Sequence, residues 1–332
     1  MLDQQRRVTI KEVAAQAGVS VATISRVLNG KGPVRETTSA RVMETCQALR
    51  FTPHGIARSL SLRRTHTVGL LLPDLHGEFF SEVIRGIDAE ARRTGYHLLV
   101  SGFHSDRQEM IAVFRAVRGR VDGLIVMSPD LEAAMLSSQL PPAFPLVLLN
   151  SMAGATRAIT VDNYGGAHAM IRHLRSLGHE RIAFIKGPEQ NADAAERLRG
   201  YRESIIEPIE FDGDFSEEAG YAAGAQLISM RTKSTAVFAA NDAMAVGALG
   251  AFREAGLRVP EDIALTGFDD IPIARYVTPR LTTMRVDVAQ LGRRAFDLLI
   301  SDKEEEHHEV LPAALVIRES CGFKNVRGGA KS

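Results

Sequence analysis

The sequence predicts an all-helical N-terminal headpiece followed by a larger, two-lobed α/β domain with parallel sheets. Three observations support this fold class. In the first 60 residues, apolar side chains recur only at helical spacing. From Thr67 onward, short apolar runs alternate with amphipathic helical stretches. These runs are apolar throughout rather than at every second position, which is typical of parallel strands covered by helices on both faces.

Three helices are predicted in the headpiece. Thr9 and Glu12 form a capping box at the start of the first helix, and Gly18 ends it. Ser20 caps the second helix, and the third runs from about Thr37 to Leu49. The apolar residues expected to face inward are Ile10, Val13, Ala14, Ala17, Ile24, Val27, Leu28, Val42, Cys46 and Leu49.

The α/β domain contains alternating strand and helix candidates. The strands are Val68–Leu72, His97–Ser101, Gly123–Met127, Leu146–Leu149, Arg181–Lys186, Ala236–Ala240 and Ile263–Thr266. The helices are Phe79–Arg93, Gln108–Gly119, Gly165–Leu177, Glu217–Met230 and Ala243–Ala255. Further strands near Asn150–Asp162 and Thr282 are not preceded by a helix, which predicts crossings between two lobes.

Charge is distributed unevenly along the 332 residues. Residues 1–64 contain eleven Lys and Arg against four Asp and Glu, so the rest of this neutral chain carries a net charge of −7. We therefore expect only the N-terminal end to contact a polyanion such as double-stranded DNA. A solvated basic face is the alternative that charge alone leaves open.

Composition also predicts where in the cell the protein is found. Met1 to Arg7 is polar, and no apolar run reaches the ~18 residues of a membrane span. Two distant cysteines, Cys46 and Cys321, form neither a disulfide framework nor a metal-ligand spacing. We expect a cytoplasmic protein without membrane attachment, cofactor or metal.

The segment from Val8 to Asn29 predicts a helix-turn-helix, in which two short helices pack around a tight turn. Its second helix exposes Val21, Ala22 and Arg26, whose position predicts contacts with base edges in the major groove. Nearby hydroxyl and amide side chains suit DNA phosphates: Thr9, Ser20, Thr23, Ser25 and Asn29. An ordinary three-helix bundle is the alternative, but the caps, turn and basic surplus together favour DNA binding.

The sequence closely resembles the lactose-repressor/galactose-repressor (LacI/GalR) family over nearly its whole length. The matching segments are Val8–Asn29, Phe51–Leu60, Val68–Asp74, Arg197–Tyr201, Ala240–Ala245, Gly267–Asp270, Leu281–Thr283 and Val316–Ser320. The resemblance implies a homodimeric transcription repressor on a near-palindromic operator. It also implies two periplasmic-binding-protein-like lobes that clamp a small-molecule effector, a sugar or sugar derivative, and no enzymatic activity.

The resemblance extends to a hinge. Gly55–Leu60 is too short to hold a helix alone in water. In the family this segment folds on DNA, and its leucine wedges a base step from the minor groove, a role that Leu60 matches beside Ala57 and Arg58. Packing of Leu60 on the following domain is the alternative.

Effector contacts are expected where strands end, because open α/β sheets bind ligands beyond their carboxyl edges. The candidates are Asp74, Phe79, Phe80, Asn150, Arg197, Asn241 and Asp269. Phe79 or Phe80 would stack on a ring, and the polar side chains would hold hydroxyl groups. Two alternatives stay open: the phenylalanines belong to the core, and Asp269 with Asp270 caps a turn.

The expected domains are a headpiece at 1–52, a hinge helix and linker at 53–65, and an effector-binding and dimerisation domain at 66–332. Within that domain, one lobe comprises 66–162 and 286–302, and the other 163–285 and 303–325. No leucine heptad follows Ser320, so we expect a dimer rather than a tetramer.

Two other functional classes fit the sequence less well. A sugar-binding transport component lacks support because of the headpiece and the missing signal peptide. A Rossmann-type enzyme lacks support because no phosphate-binding glycine motif follows the first strand. His307 and His308 could bind a metal, but a solvated loop is the preferred interpretation.

Overall fold

The computed structural model describes residues 8–29, 33–51, 64–104, 106–128, 140–141, 144–151, 157–230, 234–301 and 306–322. The chain divides into two compact units, Met1–Thr65 and His66–Ser332. The fold confirms the predicted fold class, with a helical N-terminal unit and a mostly parallel α/β unit.

The first unit contains three helices, α1 (Ile10–Ala17), α2 (Val21–Asn29) and α3 (Glu36–Ala48). The predicted capping box is present, since the Thr9 amide donates to the Glu12 carboxylate at 2.7 Å. Gly18 adopts the left-handed conformation at φ 64°, which a residue without a Cβ adopts at little cost. Of the ten apolar residues predicted to face inward, six form this unit's buried core cluster and the other four are partly buried against it.

Thr9→Ala should destabilise the first unit by about 1 kcal/mol, because its side chain accepts the Glu12 amide hydrogen at the exposed start of α1. Chemical denaturation followed by circular dichroism of the full chain would measure the change. Thr37→Ala, an exposed threonine in the first turn of α3, is the matched control. Equal stability of both variants would contradict a stabilising role for the capping box.

The second unit contains two six-stranded sheets. Its strands are β1 (Thr67–Leu72), β2 (His97–Gly102), β3 (Gly123–Met127), β4 (Leu146–Leu149), β5 (Arg157–Val161), β6 (Ile182–Ile185), β7 (Ile209–Phe211), β8 (Ala236–Ala239), β9 (Ala264–Asp269), β10 (Thr282–Arg285), β11 (His307–Leu311) and β12 (Ala314–Val316). Its helices are α4 (Glu78–Thr94), α5 (Arg107–Val117), α6 (Asn163–Ser176), α7 (Ala192–Arg202), α8 (Glu217–Ser229), α9 (Asp242–Glu254) and α10 (Val288–Ile300). Short 3₁₀ helices occupy Pro272–Arg275 and Glu319–Cys321.

The first sheet has the order β11-β5-β4-β3-β1-β2, and the second has the order β12-β10-β9-β8-β6-β7. Every pairing is parallel except that of β12 with β10. The central strands are buried, as β3 shows at all five positions, which explains why they are apolar throughout.

The chain passes between the two sheets three times, after β5, after β10 and after β11. The predicted lobe boundaries were wrong for one segment, because 303–325 was assigned entirely to the second lobe. His307 lies opposite Arg157, so β11 extends the first sheet. The same pairing corrects the interpretation of His307 and His308 as part of a loop, since both residues belong to an edge strand.

No helix within the described ranges combines the length and apolar character that a membrane span would need.

Candidate DNA-reading helix and interlobe cleft

The orientation of α2 is fixed by one buried side chain and one cap. Ile24 is fully buried in the core of the first unit. The Ser20 hydroxyl accepts the Thr23 amide hydrogen at 3.1 Å and so caps α2. With Ile24 pointing inward, Val21 (41% exposed), Ala22 and Arg26 lie on the outer face. The structure thus presents all three predicted base-reading side chains to solvent.

The residues predicted to contact phosphates lie on and around this helix. Some of their hydroxyl groups also form the caps of α1 and α2. The hydroxyls of Ser20 and Thr23 are 2.9 Å apart, and that of Thr9 belongs to the capping box. Ser25 is partly exposed on α2. Asn29 is the last residue of α2, and its side chain lies outside the described set, as do the hinge candidates Ala57, Arg58 and Leu60.

A cleft of about 880 Å³ lies between the two sheets of the second unit. All seven effector-site candidates line it: Asp74, Phe79, Phe80, Asn150, Arg197, Asn241 and Asp269. They come from both lobes, because β1 and β4 precede Asp74 and Asn150, whereas β8 and β9 lead to Asn241 and Asp269. The structure therefore brings the predicted site residues to one place.

Arg197 anchors the second-lobe wall of the cleft. Its guanidinium donates from Nη2 to Asp269 Oδ1 at 2.9 Å and from Nε to Asn163 Oδ1 at 2.8 Å. A third bond runs from Nη1 to the Ala240 carbonyl at 2.6 Å, and the group lies 3.8 Å from the Phe268 ring centroid. Arg197 is 4% exposed, so these contacts hold a buried charge in one orientation. Two of its five donors remain for a ligand.

The structure separates the roles of the two adjacent aspartates. Asp269 faces the cleft and pairs with Arg197, whereas Asp270 accepts from Arg285 at 2.7 Å and from Arg318. Both backbones lie in the left-handed region, at φ 102° and 55°. Asp270 therefore joins β9 to β10 and to the C-terminal segment through ion pairs, and the backbone amide that follows it donates to Asp242 instead.

Phe79 and Phe80 form an edge-to-face pair with ring centroids 5.6 Å apart. Both rings line the cleft, and both are partly buried against the main core. Each ring therefore lines the cleft and also packs against the core, so the two alternatives do not exclude each other.

Asn241 is a helix cap as well as a cleft residue. Its Oδ1 accepts the Met244 amide hydrogen at 2.9 Å, and its Nδ2 donates to the Phe215 carbonyl at 2.9 Å. Each amide atom thus has one partner within the protein, which fixes the side chain and leaves one further donor and acceptor.

Sequence reasoning missed Asp193, which lies on α7 one turn before Arg197. Its Oδ1 accepts from Asn163 Nδ2 at 2.8 Å. Burial raises the pKa of Asp193 to about 6, and the Asp269 carboxylate adds to the rise, although the Arg197 charge and the Asn150 and Asn163 amides oppose it. The helical spacing of Asp193 and Arg197 was the available signal.

Asn150 has a buried side-chain acceptor that finds no hydrogen-bond partner within the described ranges. Its side chain is buried, and Oδ1 has no hydrogen bond among the described residues. Its backbone lies at φ 54°, a conformation that asparagine adopts more readily than most residues. Because Asn150 lines the cleft, a ligand that reaches Oδ1 would supply the missing donor.

A helix-turn-helix followed by a two-lobed α/β domain with a polar cleft defines a ligand-responsive DNA-binding regulator. The family "Bacterial regulatory proteins, lacI family" matches residues 9–54, and "Periplasmic binding protein-like domain" matches residues 171–321.

Similar proteins support the same assignment. GalR of Escherichia coli K12 is 36% identical over 307 residues, covering 88% of each chain, and the ribose operon repressor of that strain is 36% identical over 303 residues, covering 88% of this chain and 92% of its own. A lac repressor dimer bound to operator and the anti-inducer ONPF aligns with a TM-score of 0.86 at 29% identity, covering 95% of this chain and 99% of that one. The chain belongs to the LacI family of bacterial regulatory proteins. It is a DNA-binding transcription regulator, which confirms the prediction that it is not an enzyme.

Proposed function

We propose that the protein is a homodimeric transcription repressor whose affinity for a near-palindromic operator is set by a sugar-like effector in the interlobe cleft. One observation carries this proposal. Polar side chains from both lobes line a cleft around the buried, ion-paired Arg197, and the same chain exposes the outer face of α2 for contact with DNA. The two DNA-facing helices of a dimer would occupy symmetric half-sites.

In this proposal, Val21, Ala22 and Arg26 read base edges. The Arg26 guanidinium would fork onto guanine O6 and N7, and Val21 and Ala22 would contact thymine methyl groups. Thr9, Ser20, Thr23, Ser25 and Asn29 would contact phosphates and fix the orientation of α2.

The hinge remains part of the proposal through the family resemblance. Ala57, Arg58 and Leu60 would enter the minor groove when the segment folds on DNA. Lobe movement would then change operator affinity by altering the distance between the two hinge copies of a dimer.

The effector would bind between the lobes, because only a ligand that touches both can favour one lobe arrangement over another. Arg197 and Asp269 would bind its hydroxyls, Asn150 and Asp74 would contact it from the first lobe, and Asn241 from the second. Phe79 and Phe80 offer ring surface for stacking. A lac repressor bound to ONPG and a CelR–cellobiose complex, at 30% identity each, show sugar ligands in structural relatives. The place of action would be the cytoplasm, on the nucleoid.

Arg26→Ala should cost ~1–3 kcal/mol of operator affinity and relax specificity at one symmetric base pair, because its forked contact with guanine is lost. Operator sites carrying each base at every position would be titrated by mobility shift. Lys11→Ala, an exposed cation on α1, is the control for general loss of positive charge. An unchanged operator preference in the Arg26 variant would remove Arg26 from the base-reading set.

The regulatory half of the proposal is tested by mobility shifts on that operator with and without candidate sugars. An effector should change the operator dissociation constant by about 5–150-fold, the usual range of allosteric coupling. Specific operator binding that no sugar changes would contradict the assignment of a sugar effector.

A further inference from the structure

Acidic residues far outnumber basic ones in the lining of the interlobe cleft. Eight carboxylates border it, those of Asp74, Glu78, Glu189, Asp193, Asp214, Glu217, Glu218 and Asp269. Arg197 is the one arginine among the described lining residues, none of which is a lysine, and its charge is paired with Asp269. The two lining histidines are His76 and His104, and the latter lies 3.1 Å from Glu109. A large excess of negative charge therefore surrounds the ligand space.

Helix N-termini do not compensate for this charge. Helices α4, α7, α8 and α9 all begin at the cleft, and their free amide groups would normally attract anions. Asn191, Ser216 and Asn241 already cap the last three helices with their side chains. Three of the four also carry a cleft-lining carboxylate in the first turn: Glu78, Asp193, and Glu217 with Glu218. The positive helix ends are thus neutralised by residues of the chain itself.

Asn150 and Asp193 place acceptor oxygens at the ligand space of the cleft. Asn150 Oδ1 is buried and has no hydrogen-bond partner in the part of the chain that the structure describes, and the Asp193 carboxylate accepts a hydrogen bond from the same amide group. A phosphate or carboxylate of a ligand would place acceptor oxygens against these acceptors. A hydroxyl or an ammonium group would donate to them instead.

We propose that this cleft selects its effector by charge: it takes a polyhydroxy ligand that is uncharged or carries an amine, and it excludes phosphorylated and carboxylated ligands. The inference rests on the proposed effector function and narrows its chemical class. The ligand donates a hydrogen bond to Asn150 Oδ1, and an amine-bearing ligand gains further from Asp193.

A reporter cysteine measures this selectivity without knowledge of the effector. In the full-length protein, Ala243→Cys places a small thiol in the cleft wall, and Ala225→Cys places one on the exposed face of α8. No charged residue lies three or four positions from Ala225. Both native cysteines are buried, and the unsubstituted protein gives the background rate. The reagents are a cationic trimethylammonium-ethyl and an anionic sulfonato-ethyl methanethiosulfonate, of similar size.

The cationic-to-anionic rate ratio at Ala243→Cys should exceed that at Ala225→Cys at least tenfold in about 0.1 M salt. The excess should shrink in about 1 M salt, where the screening length is only about 3 Å. Adding Glu217→Gln and Glu218→Gln to the Ala243→Cys variant should also lower its cationic-to-anionic rate ratio. Equal ratios at the two reporter positions would overturn charge selection by the cleft.

A second arm uses thermal shift with glucose, ribose and galactose, each compared with its amino and phosphorylated derivatives. Neutral or amine-bearing members should stabilise the protein more than their phosphates do. Any advantage of an amine should decline below pH 6, where Asp193 becomes protonated. Stronger stabilisation by a phosphate than by its parent sugar would overturn the inference. It is also possible to separate the two proposals. If none of these compounds stabilises the protein but the reporter ratios differ as expected, the result would contradict a sugar effector and support charge selection.

Discussion

Replacing Arg197 with alanine should abolish the effector response and lower the free energy of unfolding of the second unit by about 3–5 kcal/mol. The structural cost arises because the substitution leaves the buried Asp269 carboxylate without its cationic partner. It also removes the donors to Asn163 Oδ1 and the Ala240 carbonyl. The sequence alone predicts only the loss of response, since it does not reveal the buried ion pair.

Arg199→Ala provides the matched control, because Arg199 lies on the same helix with its side chain 50% exposed and pairs with Glu196 on the surface. Its loss should change stability by no more than about 1 kcal/mol, as for exposed ion pairs in general. Urea denaturation, effector-induced thermal shift and operator titration of both variants separate stability from response. Arg197→Ala should still bind operator with nearly unchanged affinity at a temperature where it is folded. Wild-type stability or a normal effector response in this variant would contradict the assigned role.

Asp269 responds to pH through the same pair. Burial raises the pKa of its carboxyl group, whereas the Arg197 charge opposes that rise. A carboxyl whose pKa is raised on folding contributes stability at low pH and loses that contribution as the pH climbs through its folded-state value. Burial of this carboxylate therefore costs stability at neutral pH, and Arg197 is what limits the cost. This is the physical reason why we expect Arg197→Ala to destabilise the second unit.

Much of the architecture was predictable because apolar patterning is local. The headpiece core, the caps at Thr9 and Ser20, and the seven strand candidates all follow from spacing and composition within short windows. The cleft residues were predictable for a related reason: strand ends in parallel sheets meet at one edge, so polar residues after strands converge.

The strands that were missed lie at sheet edges. β7 and β12 have three residues each, and β11 contains His307, His308 and Glu309. Edge strands are partly solvated and need no continuous apolar run, so their sequences do not show the pattern of the central strands. The wrong lobe assignment of 303–325 follows from this, because β11 is recognised only by its pairing with β5.

Partners of the cleft residues were not predictable, because they are distant in sequence. Arg197 is held by residues 34, 43 and 72 positions away. Whether a polar side chain is satisfied within the protein or left open depends on such pairs. Asn241 and Asn150 illustrate this, because both amides follow strands, but only the Oδ1 of Asn241 has a hydrogen-bond partner among the described residues.

Gly247→Ala should destabilise the second lobe by about 3 kcal/mol, the upper range for overpacking, because α8 and α9 cross at this glycine. A Cβ at position 247 would lie 1.9 Å from the Glu217 carbonyl oxygen and 2.7 Å from the Tyr221 amide nitrogen. Both are backbone atoms of α8, so the helices would have to separate. Since Ser216 and Glu217 lie at the cleft, the separation should also weaken effector binding.

Gly250→Ala, one turn further along α9, is the matched control. Its Cβ would meet only the Tyr221 ring, at 3.6 Å, an ordinary contact. Because alanine favours a helix interior by about 1 kcal/mol over glycine, this variant should be as stable as the wild type or more so. Urea denaturation of the two variants separates the effect of close helix packing from that of helix propensity, because both variants make the same change in the same helix. If Gly247→Ala were no less stable than Gly250→Ala, the close approach of α8 and α9 would not be required for the stability of this lobe.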